Sequence, residues 1–205
     1  MKQLFAALLA GLLLAGCTAR PGTASTAEAA RPAGSAQVIS LVDDLGRTVN
    51  VEAPPRRVAA LIGSFADVWC LAGGEDSLVA SATDAWTYFD WLPLEGVTDL
   101  GATKQISLET LIAAEPDLVL ASVNTALDLE LMDTFEEMGI PAAYFEVSTF
   151  EQYLSMLERC SRLTGDADAY RQNGEAVRDR VARAHARAPG RPPRVLYVRG
   201  SSSGC

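Results

Sequence analysis

A chain of 205 residues with 26 acidic and 17 basic side chains has a net charge of −9 and a pI near 4.6. That balance excludes nucleic acid and anionic membrane surfaces as natural partners, since both recruit clustered Lys and Arg. One histidine, His185, and four cysteines without a CxxC pair leave no ligand set for a naked Zn²⁺ or Mn²⁺ ion.

The chain begins with Lys2 followed by an uncharged stretch from Leu4 to Gly16. This stretch is too short for a comfortable permanent span and ends in small residues, which is the pattern of a secretory signal over residues 1–16. Leu14-Ala15-Gly16-Cys17 is similar to the lipobox of bacterial lipoproteins. The resemblance implies a diacylglycerol on the Cys17 thiol, cleavage just before it, and anchoring by acyl chains rather than a transmembrane helix. An ordinary signal with an incidental cysteine is the other reading of the same residues. Residues 18–36, TARPGTASTAEAARPAGSA, bury too little apolar surface to offset the entropy of ordering and read as a tether.

The roughly 170 residues after the tether suffice for one domain of ordinary size. Two strand-like runs flank Asp44-Leu45-Gly46-Arg47, a hairpin signal closed by Pro54-Pro55. The run RRVAALIGS precedes Ser64, which with Asp67 resembles a capping box for a helix carrying Phe65, Val68, Trp69 and Ala72. SLVASA is a second apolar run, followed by the loop TDAWTYFDWLPLEGVTDLGATKQ. Ser107 caps a helix closed by Pro116, and DLVLAS is a third run. Leu127, Leu131, Phe135 and Met138 predict one amphipathic helix, and AAYFEV is a fourth run. Thr149 and Gln152 then open a helix with Phe150, Tyr153, Leu157 and Cys160 on one face. Of the remaining cysteines, Cys160 is expected to be a buried thiol, while an oxidised pair among Cys70, Cys160 and Cys205 would leave one unmatched.

Short continuous apolar runs alternating with amphipathic helices predict an α/β fold with a parallel sheet covered on both faces. Ligands of such sheets bind beyond the carboxyl ends of the strands, which selects the loops at Gly63-Ser64, Asp84–Trp91, Ser122–Thr125 and Val147–Thr149. A long helix over 168–188 with a narrow apolar stripe follows, then a strand-like run, Arg194 to Val198.

The order of these pieces resembles the substrate-binding proteins of ABC importers for ferric siderophores, haem and cobalamin. The resemblance is carried by the helix from Leu108, by Glu115-Pro116-Asp117 before an apolar strand, and by Gly139-Ile140-Pro141 before the next. It covers residues 38–200. It implies a three-layer lobe over 37–165, an interlobe helix over 166–190 and, over 191–205, the start of a second lobe that the chain does not complete. It also implies delivery of a metal chelate to the permease and ATPase subunits of a transporter, with no catalytic residues. An exposed glutamate at the position of Glu109 would dock on permease arginines, although an acid in a first helical turn is also ordinary dipole chemistry.

Within the expected cleft, the DAWTYFDW loop offers Trp86, Tyr88, Phe89 and Trp91 between Asp84 and Asp90, and flat organic ligands require such aromatic surfaces. Ser64, Thr103, Lys104, Gln105, Ser122 and Asn124 are the polar candidates, and Arg199 would face the cleft from the second lobe and pair with an anionic ligand. Two other classes stand beside this one. A chelatase-like tetrapyrrole enzyme needs a general base near the cleft, and the lone His185 sits in the long helix instead. A surface lipoprotein that only bridges other proteins has no use for the aromatic loop.

Overall fold

The computed structural model describes residues 37–187, 190 and 194–197. The expected signal, the tether, the lipidation site Cys17, and Arg199 and Cys205 lie outside the described residues. β1 (Gln37–Val42) and β2 (Thr48–Ala53) pair antiparallel, with Val49, Val51 and Ala53 turned inward. Their turn is built on Asp43, whose Oδ1 accepts from the Leu45 and Arg47 amides, and on Gly46, whose φ of 76° favours glycine.

Five parallel strands follow: β3 (Val58–Ala60), β4 (Leu78–Ser81), β5 (Thr98–Asp99), β6 (Leu118–Ser122) and β7 (Ala142–Phe145), in the spatial order β5-β4-β3-β6-β7. On one face α1 (Gly63–Leu71) and α6 (Phe150–Thr164) bring Trp69, Met156, Leu157 and Cys160 onto Ala60, Leu118 and Leu120. On the other, α3 (Leu108–Ala113) and α5 (Met132–Glu137) bring Leu111 and Phe135 onto Val119, Ala121 and Tyr144. Every residue of β6 and β7 is buried, which explains why these strands read as unbroken apolar runs. Cys70 and Cys160 are both buried and unpaired.

The free edge of β7 is covered by the hairpin turn. The Asp44 amide donates to the Tyr144 carbonyl at 2.9 Å, and the Glu146 amide donates to Asp44 Oδ2 at 2.7 Å. Arg47 Nη2 donates to Asp43 Oδ2 and to the Ala142 carbonyl, both at 2.8 Å, while its guanidinium lies 4.7 Å from the centre of the Tyr144 ring. Backbone groups that would otherwise template another chain are thus satisfied internally.

Five expectations are corrected. Ser64 and Asp67 form no capping box: Ile62 is the N-cap, Ser64 is exposed, and the Gly63 N–H takes a carboxylate from a different loop. The long loop after β4 contains α2 (Asp84–Tyr88) and β5, a two-residue strand too short to show a period. The helix expected over 127–138 is divided at Leu131 into α4 (Ala126–Glu130) and α5, because Asp128 ties α4 inward, and Met138 is left exposed. The long helix consists of α7 (Ala167–Tyr170), a π-helical turn (Arg171–Glu175) and α8 (Ala176–Ala186). The turn brings Gly174 so close to Tyr170 that an added Cβ would lie 2.6 Å from the ring. α8 has no buried residue, and His185 faces solvent. Residues 194–197 are not a strand; Val195, Leu196 and Tyr197 are exposed, with no strand beside them among the described residues to accept their hydrogen bonds. No helix among the described residues is long and apolar enough to cross a membrane.

Candidate functional site at the carboxyl edge of the sheet

The strand order places β4 and β5 on one side of β3, and β6 and β7 on the other. The order of strand addition therefore reverses between β3 and β6, and the loops leaving them go to opposite faces: β3 into α1 on one, β6 into α4 on the other. Such a switch point opens a crevice beyond the carboxyl ends of its strands.

The loop after β4 is locked to the loop after β3. Asp84 Oδ1 accepts from the Gly63 amide at 2.9 Å, supplying a helix N-terminus with the anion it favours. Burial raises the Asp84 carboxyl above the usual range, and the Gly63 hydrogen bond opposes that shift. A Cβ on Gly63 would lie 2.5 Å from the Ala85 nitrogen, so only glycine admits this approach. The same loop is tied to the one after β5: Thr83 Oγ1 donates to Asp99 Oδ1 at 2.8 Å, and the Thr83 amide to the Gly101 carbonyl at 2.9 Å. Three loops are thereby one rigid unit.

α2 and the residues just after it ride on this unit and present rings to solvent. Trp86 is 38% exposed, Tyr88 75% and Trp91 52%, whereas Phe89 packs against the core. Trp69, by contrast, is fully buried and donates its Nε1–H to Ser77 Oγ. Thr103 is half-buried beside the exposed Lys104 and Gln105 in the loop after β5. After β6, Ser122 is buried and its hydroxyl accepts from the Asn124 amide at 3.1 Å, which leaves Asn124 as the exposed side chain of that pair.

Beneath this loop lies Asp128, fully buried, with Oδ2 accepting from the Ser122 amide at 2.8 Å and Oδ1 without a partner. Burial pushes its carboxyl up to about 6, against the lowering effect of the Ser122 amide. Tyr144 Oη donates to the Asp128 carbonyl at 2.7 Å, fixing α4 to the sheet. Sequence reasoning missed Gly63, Asp99 and Asp128 as positioning residues. The signal for Asp128 was an acid among leucines in a short helix, which ordinary amphipathic counting treats as a surface residue.

Glu109 is exposed in the first turn of α3, whose N-cap Ser107 accepts from the Thr110 amide. α3 starts directly after the β5 loop, so Glu109 lies at the same end of the lobe as the aromatic rings. Two cavities lie elsewhere and include none of these residues: one of about 290 Å³ between the end of α6 and α7, and one of about 260 Å³ between β2 and α5. No group of three or more His, Cys, Asp or Glu among the described residues is arranged to hold a metal ion.

Known proteins share this fold. Solved structures with the same fold include the petrobactin-binding protein of Bacillus subtilis, 18% identical with a TM-score of 0.62 over 72% of this chain and 52% of that one. A siderophore-binding protein bound to two acinetobactin molecules and ferric iron is 21% identical, with a TM-score of 0.63 over 77% of this chain and 56% of that one. The periplasmic vitamin B12-binding protein of Vibrio cholerae is 19% identical, with a TM-score of 0.56 over 65% and 51% respectively. A cobalamin-binding protein of Halobacterium salinarum is 27% identical over 162 residues, 77% of this chain. The chain spans 43% of that relative's length. The family model for periplasmic binding proteins matches residues 58–204, and the chain belongs to that family.

Proposed function

We propose that the chain is an extracytoplasmic solute-binding lipoprotein that captures a metal chelate of the ferric siderophore, haem or cobalamin kind and delivers it to an ABC transporter permease. The observation that carries this reading is the set of exposed rings on a rigidly held α2 at the carboxyl edge of a switch-point sheet. A fold alone does not specify a ligand, but this site has what a large flat ligand needs: aromatic faces with a few polar groups around them. In this reading Trp86 and Tyr88 stack on the ligand, and Ser64, Thr103, Lys104, Gln105 and Asn124 orient it. Asp84 and Ser122 shape the loops, since their oxygens already accept backbone amides.

Capture at a membrane further requires an anchor and a docking point. Acyl chains on Cys17 with the 18–36 tether would supply the first, and Glu109 the second, its carboxylate meeting a basic permease surface at the end of the lobe that holds the ligand. Arg199 would add a contact from the second lobe.

Tryptophan fluorescence tests the reading, because Trp86 and Trp91 are exposed while Trp69 is buried in the core. Titration with cyanocobalamin and with ferric hydroxamate chelates should give saturable quenching by at least one of them. With Trp91 kept as the reporter, Trp86→Ala with Tyr88→Ala should weaken that binding about tenfold, as expected for losing two stacked rings. Absence of saturable quenching by every chelate, or turnover of a tetrapyrrole with metal, would overturn it.

A further inference from the structure

The ligand has a sign as well as a shape. Among the described residues, the loops at the carboxyl edge (61–64, 82–91, 99–105, 122–125 and 146–149) carry the carboxylates Asp84, Asp90, Asp99 and Glu146 against one base, Lys104. No arginine lies in them. Arg56 and Arg57 precede β3 at the opposite end of the sheet, and Arg47 and Arg159 are engaged with Asp43 and Asp44. Asp84 and Asp99 cannot swing aside, since the first is held by the Gly63 amide and the second by Thr83 Oγ1 and the Gly101 amide.

A polyanionic chelate entering here would meet fixed negative charge and, among the described residues of these loops, none of the guanidinium forks that bind dense anionic oxygen. That repulsion acts between exposed or half-buried groups, so salt screens it. A neutral or singly cationic chelate meets the opposite situation, because exposed indole and phenol faces attract cations and stack on uncharged planar groups. We infer that this edge selects neutral or singly cationic chelates, the corrinoid and ferric tris-hydroxamate classes, and rejects polyanionic ones such as ferric tris-catecholates. The inference rests on the proposed function and narrows it.

The test is equilibrium dialysis of the full chain, produced with its own leader and extracted in detergent. The probes are a cationic and a neutral ferric tris-hydroxamate, cyanocobalamin, and a trianionic ferric tris-catecholate, each at about 20 mM and about 500 mM salt, which brackets strong and weak screening. At least one neutral or cationic probe should be retained, with the trianion at least about tenfold weaker in low salt. High salt should narrow that gap, and so should Asp90→Lys with Glu146→Lys in low salt. Trianion binding as tight as the others in low salt overturns the charge selection and leaves chelate capture standing. A gap unmoved by both salt and charge reversal assigns it to shape and also overturns the inference. Retention of no probe of any charge overturns the capture reading itself, and the selection with it.

Discussion

Two residues at the site carry opposite lessons. At Gly63, an alanine would ordinarily gain about 0.5–1 kcal/mol of helix propensity. Here its Cβ would lie 2.5 Å from backbone that cannot rotate away, and overpacking of that kind costs about 1–3 kcal/mol. Gly63→Ala should therefore lower stability in a urea titration; a rise in the midpoint would show that α2 is not seated on α1. Asp128 has its carboxyl raised from 3.8 to about 6 by burial. The folded chain then keeps a proton that the unfolded chain sheds, so this group's contribution is fully present below about pH 4 and lost as pH rises through 6. In Asp128→Asn the amide oxygen can still accept from Ser122, and the desolvated charge is gone, but an NH₂ replaces the unpartnered oxygen. Relative to the parent, the variant should be about 2 kcal/mol more stable at pH 8 than near pH 4, by urea denaturation at both values. Equal gains at the two pH values would sink that assignment. The aromatic loop was legible from composition and position alone. Its anchoring was not, because the partners Gly63 and Asp84 are 21 residues apart and meet only once the sheet forms.

Among elements, the hairpin shows how much a short turn can carry. Asp43 is fully buried at its carboxylate and relies on Arg47 for its counter-charge. Removing one partner of such a pair leaves an uncompensated charge, a loss of about 3–5 kcal/mol. Arg47→Ala should destabilise by that order and should also speed amide exchange at Tyr144 and Glu146, whose N–H groups donate to Asp43 and Asp44. Rapid denaturation with unchanged exchange at those two amides would place the loss elsewhere. The hairpin itself, the Ser107 cap and the Thr149–Gln152 capping box were all legible, each being a local pattern. The division of α4 from α5 and the π-helical turn were not. Both depend on packing, of Asp128 under a loop and of Tyr170 over Gly174, which periodicity does not report.

For the molecule as a whole, the parallel sheet followed from alternating buried runs and amphipathic helices, and the two cores on its faces follow in turn. β5 escaped because two residues contain no pattern, and the run from Arg194 misled because β propensity needs a neighbouring strand to act on. Val195, Leu196 and Tyr197 are 80–86% exposed, so replacing all three with serine should leave the unfolding free energy from urea titration within about 0.5 kcal/mol of the parent. A clear loss would mean that this run packs on something in solution. The same replacement should reduce self-association measured by sedimentation, since an exposed β-branched and aromatic run invites edge pairing between copies.

The seating of α2 on α1 has one more consequence, for how sequences change together. A glycine that opens one crossover helix and an aspartate that opens the next share a single hydrogen bond and a single close approach. In a relative that keeps the aspartate, any side chain at the glycine's position would push the aromatic helix off the crevice. The two positions should therefore co-vary: Gly with Asp where the rings sit close, and neither where the second helix is set further out.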